Sequence, residues 1–144
     1  MDPLSITASI LTILGAGGQV AKGIAKIRAL KYAPDILLAL NNEIADIQYL
    51  VQDVNHVARQ HEEAHETKFS ASVCRALEKV RETLLATEQL IAYELTTIDS
   101  VNGLVKLDWK RWLRLEGKIR QLQERMRNNK VDLSTALVAQ NSYV

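Results

Sequence analysis

Apolar residues in the first thirty positions alternate at gaps of four and three: Ile6, Ile10, Ile13, Gly17, Val20, Ile24 and Ile27. An average step near 3.5 keeps them on one stripe of an α-helix, while a strand would need a step of two. The same rhythm returns further on. Leu37, Leu40, Ile44, Ile47, Val51, Val54 and Ala58 mark a second helix from about Pro34 to Ala64. Val73, Leu77, Val80, Leu84, Ile91, Leu95 and Ile98 mark a third, with Ser70 as its N-cap. Trp112, Leu115, Ile119, Leu122, Met126, Leu133 and Leu137 mark a fourth, beginning near Asp108.

The punctuation fits these spans. Asp2 and Pro3 make an N-cap and a first helical residue. Pro34 disfavours helix at Ala33, which ends the first helix near Tyr32. "DSVNG", Asp99 to Gly103, reads as the turn before the last helix. Asn128 and Asn129 predict a bend or break within that helix. No strand, repeat or low-complexity tract stands out. Only Pro3 and Pro34 are proline, and aromatic residues are scarce, which suits helices better than sheets. The expected fold is all-α: an antiparallel bundle of four long helices with short connections, forming one domain over residues 1–144.

The first helix carries an anomaly. "LTILGAGGQVAKG", Leu11 to Gly23, sets Gly15, Gly17 and Gly18 inside it. Each costs roughly 1 kcal/mol against alanine, so the three together forfeit roughly 3 kcal/mol of helix propensity. A phosphate-binding loop does not explain them. The Walker pattern ends in Gly-Lys-Ser/Thr, whereas Lys22 here precedes Gly23. A dinucleotide fingerprint needs glycine where Val20 stands. Gly17, Ala21, Ala25 and Ala29 instead recur every fourth residue, a small-residue seam that admits a close neighbouring backbone. That seam serves either tight packing of a central helix or self-association after the helix enters a membrane. Pro3 to Ala21 is uncharged, about the length of a bilayer span, though interrupted by Ser5, Thr7, Ser9, Thr12 and Gln19. It lacks the basic start and the cleavage site of a signal peptide.

Charge is segregated along the chain although the net charge is only +1. Lys22, Lys26, Arg28 and Lys31 oppose Asp2 in residues 1–33. Seven carboxylates oppose Arg59 in residues 34–66, and nine basic residues oppose four acids in residues 100–144. An acidic helix beside basic ones accounts for part of this. The four cations after the uncharged span also fit anionic lipid headgroups.

Other chemistry is weakly supported. "HEEAH", His61 to His65, has the spacing of a zinc-binding helix, with Glu82 or Glu88 as a third ligand, but sits at a polar helix end. Cys74, the sole cysteine, reads as a packed thiol and rules out an internal disulfide. "DWKRWLR", Asp108 to Arg114, is too short a basic stretch to indicate nucleic acid. Within it, Trp112 falls on the core stripe and Trp109 on the rim, where it would serve as a membrane-interface anchor if this face meets lipid. No catalytic set can be singled out, and the expectation is a non-enzyme without cofactor.

"MDPLSI", Met1 to Ile6, opening an apolar Gly/Ala-rich helix, resembles the start of fungal HeLo-like domains. These include the N-terminal domain of fungal STAND (NOD-like receptor) proteins. The end of the chain is similar too. "WLRLEGKIRQLQERMRNNKVDLSTAL", Trp112 to Leu137, has a Trp, then Lys-Ile-x-x-Leu, then a basic residue before Leu-x-x-x-Leu. The resemblance implies a bundle related in fold to the four-helix domain of the necroptosis executioner. It implies a cell-death effector of fungal immunity or heterokaryon incompatibility, cytoplasmic at rest. On a signal from an NLR-type sensor it would oligomerise, move to the plasma membrane and permeabilise it with its first helix. Leu4, Ile6, Ile10, Leu11, Ile13 and Leu14 would insert, with Gly15, Gly17 and Gly18 as the flexible segment. Lys22, Lys26, Arg28 and Lys31 would meet the headgroups. Two departures stand out: no ATPase module or repeat accompanies the domain, and no Gln/Asn-rich or Gly-rich tail follows Leu137. The alternative role is a signalling adaptor that passes on oligomerisation without touching lipid.

Overall fold

The computed structural model describes residues 3–28, 34–63, 69–98 and 100–141. Four long helices make up most of it: α1 (Pro3–Arg28), α2 (Ile36–Glu63), α3 (Ala71–Gln89) and α4 (Trp109–Asn141). A π-helical turn, Leu90–Glu94, continues α3, and two short strands, β1 (Thr96–Ile98) and β2 (Val105–Leu107), join it to α4. The all-α four-helix arrangement follows from the four apolar stripes. Every stripe residue of α1 and α2 named above is buried. One cluster of buried residues runs through all four helices.

Consecutive helices run antiparallel, but their order around the core is not the order of the chain. α1 lies beside α2 and α3, and α4 lies beside the same two. The α2–α4 pairs Glu43–Arg127 and Asp46–Lys130 keep a constant offset, which makes those neighbours parallel. Asn129 meets Lys79 and Gln140 meets Ser70, which makes α3 and α4 antiparallel. Gly23 faces Ile91, so the C-terminal ends of α1 and α3 share one end of the bundle with the hairpin. α1 therefore occupies a corner, not the centre that a tightly packed seam had implied.

Caps account for several boundaries. Ser70 Oγ accepts the Val73 N–H at 3.2 Å, and the Ser70 N–H donates to Gln140 Oε1 at 2.7 Å. The Asp108 carboxylate accepts the N–H groups of Lys110 and Arg111 at the start of α4. The expected end of the first helix near Tyr32, and the capping by Asp2, lie outside the described residues.

Two expectations are corrected. The third helical stripe does not reach Ile98, and a strand is present. The Leu95 N–H donates to Leu90 O at 3.0 Å, the π-turn bond that ends the helix. Thr96, Thr97 and Ile98 then pair antiparallel with Leu107, Lys106 and Val105. β-Branched side chains favour this extended form. Gly103 has φ of 69°, and the Leu104 N–H donates to Asn102 Oδ1, so the turn is built from residues suited to it. The base closes where the Asp108 N–H donates to Leu95 O at 3.0 Å.

The second correction concerns Asn128 and Asn129, because α4 passes through both without a break. Asn129 is buried, and its amide donates to Thr83 Oγ1 at 2.6 Å and to Lys79 O at 3.2 Å. The Thr83 hydroxyl itself donates to Lys79 O at 2.9 Å. A polar position in the core stripe is thus satisfied across the α3–α4 interface. Asn129→Ala is expected to cost about 1–3 kcal/mol through the lost hydrogen bonds and the void. Asn128→Ala on the exposed face should be near neutral. Urea unfolding of the two variants checks this contrast.

Candidate membrane-inserting helix

α1 remains helical through Gly15, Gly17 and Gly18, so no phosphate-cradling loop forms there. By length and composition Ile6–Arg28 is apolar enough to cross a bilayer, the one such helix among the described residues. The insertion residues named from the sequence divide by face. Ile6, Ile10 and Ile13 are buried in the core, joined below them by Val20, Ile24 and Ile27. Leu14 is half-buried against the same core, while Leu11 stands 65% exposed. The side chain of Leu4 lies outside the described residues.

The glycines do not act as one unit. Gly17 is buried, and a Cβ there would come within 2.9 Å of the Gln48 amide nitrogen on α2. A Cβ on Gly23 would come within 2.7 Å of Ile91 Cγ2 in the π-turn. These two positions are close approaches of neighbouring elements. Gly15 and Gly18 face open space, with nothing within 4 Å of an added Cβ. The small-residue seam is corrected as well. Gly17 is buried, Ala21 half-buried and Ala25 exposed, while Ala29 lies outside the described residues. Four residues advance a helix by slightly more than one turn, so a four-residue series winds away from a fixed neighbour.

The charges separate into satisfied and unsatisfied groups. Glu43 of α2 is nearly buried and accepts from Lys130 Nζ at 2.8 Å and Arg127 Nε at 3.5 Å. Lys130 also reaches Asp46 at 3.1 Å. The hydrogen bond to Glu43 is the main reason the Lys130 amine is held above its ordinary range, against a lowering by burial. The lysine therefore stays charged through neutral pH and, on the alkaline side, gives up the interaction only in strongly alkaline solution. Part of the acidity of α2 is thus neutralised by α4. Lys22, Lys26 and Arg28 are exposed and make no ion pair among the described residues. Lys31 lies outside those residues.

Comparison with protein-family models, curated proteins and solved structures finds no match to this chain. The site is read from its residues alone. The side chains of "HEEAH" lie outside the described residues, while Glu82 and Glu88 sit on α3. Among the described residues no cluster of three His, Cys, Asp or Glu side chains could hold a metal. Cys74 is half-buried against the core, Trp112 is buried, and Trp109 is 47% exposed at the rim.

Sequence reasoning missed the hairpin. The signal was present in Thr96-Thr97-Ile98, Asn102-Gly103 and Val105-Lys106-Leu107, a turn flanked by two short strand-forming runs. The glycine geometry sets a test of α1. Gly15→Ala and Gly18→Ala should each stabilise the bundle by up to roughly 1 kcal/mol. Gly23→Ala should destabilise it, because Ile91 is buried and branched at Cβ and has little room to yield. Thermal and urea unfolding of the single variants measures all three.

Proposed function

We propose that this chain is a membrane-permeabilising effector module of the HeLo-like kind, in which α1 leaves the bundle and inserts into an anionic membrane. The observation that carries this reading is the character of α1. It is long and apolar enough for a bilayer, ends in exposed cations, and contains two glycines that resting packing does not require. Release is expensive in water. Exposing Ile6, Ile10, Ile13, Val20, Ile24 and Ile27 at about 1.5–3 kcal/mol each amounts to about 9–18 kcal/mol, as much as or more than the whole stability of a typical domain. The bilayer interior offers those side chains an equivalent apolar environment. Lys22, Lys26 and Arg28 add about 1 kcal/mol each near an anionic surface. A trigger or a lipid surface is therefore needed, and the resting module stays cytoplasmic. A sensor protein and self-association are the partners this reading calls for.

A second reading is favoured by the burial of Ile6, Ile10 and Ile13. In it the bundle stays closed and relays oligomerisation between a receptor and another effector, and Ile10→Asp or Leu14→Asp acts only by unfolding it.

A reversible lock separates the two. The Gln48 Cγ lies 3.3 Å from where a Gly17 Cβ would sit. Gly17→Cys with Gln48→Cys, in a Cys74→Ser background, should staple α1 to α2 on oxidation. With phosphatidylserine-containing liposomes, the reduced protein should release trapped dye and the oxidised protein should do so at least about tenfold more slowly. Equal leakage in both states, or none in either, rejects insertion of α1.

A further inference from the structure

The hairpin end of the bundle gathers exposed apolar side chains. Ile98 is 74% exposed, Val101 93% and Leu104 64%. Tyr93, Trp109 and Leu113 are exposed at the base of the same hairpin. Exposure rises from Leu107, which is buried, to the turn, so the distal half of the hairpin stands clear of the helices. Scattered exposed apolar residues need no explanation, but a cluster on one projection does.

The surrounding charges say what fits it. The carboxylates of Glu94, Asp108 and Glu116 are engaged by Lys118, Arg111 and Arg120. Lys106, Lys110 and Arg114 are exposed and make no ion pair among the described residues. α1 brings Lys26 and Arg28 to this same end, where it touches β2 and the π-turn. Asp35 and Glu88 are the other described acids of the elements gathered here, and they do not balance five cations. An apolar tip, aromatic residues at its base and cations behind them match the layers of an anionic bilayer from interior to surface.

We infer that the hairpin end is a lipid-docking surface of the folded bundle. Ile98, Val101 and Leu104 enter the interface, Trp109 lies at headgroup depth, and Lys106, Lys110, Arg114, Lys26 and Arg28 meet anionic headgroups. This rests on the membrane reading above but assigns binding and permeabilisation to different parts of the molecule. The closed bundle docks through the hairpin, and α1 acts afterwards.

The test uses the full chain and vesicles of phosphatidylcholine, with and without phosphatidylserine. The α1-locked protein should co-sediment with the phosphatidylserine vesicles without leakage, and added salt should weaken that binding. Ile98→Asp, Val101→Asp and Leu104→Asp combined should lower binding about tenfold or more, with the unfolding curve unchanged because these side chains are exposed. The indole emission should shift to the blue on binding, and Trp109→Phe should abolish that shift while sedimentation persists. Hairpin-dependent binding with no leakage from the reduced protein supports docking while rejecting α1 insertion. The docking proposal is overturned if the triple variant binds like the parent, or if vesicles with and without phosphatidylserine bind equally. It is also overturned if the variant's only loss is of a protein dimer in sedimentation velocity.

Discussion

The bundle depends on one contact above others, the burial of the α1 stripe between α2 and α3. Ile6, Ile10, Ile13, Val20, Ile24 and Ile27 give their apolar surface to that interface. α1 sits at a corner, so its opposite side meets water, where Leu11, Gly15, Ala25 and the cations lie. A helix held on one side only is restrained chiefly by apolar burial. That attraction is non-directional, and any apolar medium can replace it. The same six side chains thus hold the resting fold together and, in the function proposed above, would be the apolar surface handed to the bilayer.

The α3–α4 interface is held differently. Asn129, Thr83 and Lys79 form a hydrogen-bonded set inside it, and Ser70 is tied to Gln140 at its far end. Directional bonds of this kind fix register and do not transfer to hydrocarbon, where an unpartnered polar group is costly. α2 is joined to α4 by Glu43, Asp46, Arg127 and Lys130. Polar ties thus link α2, α3 and α4. The described residues show no hydrogen bond or ion pair from a side chain of Lys22, Lys26 or Arg28 to those helices.

Much of this was legible in the sequence. The alternating gaps identified the buried face of each helix, and Ser70 and Asp108 marked where two of them start. Ile98 was misread because it follows Leu95 at a helical spacing, and periodicity alone cannot tell that Thr96 and Thr97 have already turned the chain into a strand. Asn129 was misread because asparagine is a poor helix former by itself, while its partners lie on another helix. Which glycines pack and which face solvent depends on Gln48 and Ile91, residues far along the chain. The arrangement around the core was hidden for a similar reason. Short links force neighbours in sequence to run in opposite directions, but they do not dictate which pairs lie side by side.

That parallel pairing of α1 with α3 has a geometric consequence. At about 1.5 Å per residue, the 26-residue α1 spans roughly 39 Å, and its first turn lies at the end of the molecule remote from β1 and β2. A bundle seated hairpin-down on lipid would hold Pro3 at the top, pointing into solvent. Direct penetration is ruled out in that posture. The rod would have to tip over its anchored Arg28 end like a drawbridge, delivering its amino terminus last and leaving the other three helices on the side from which it came.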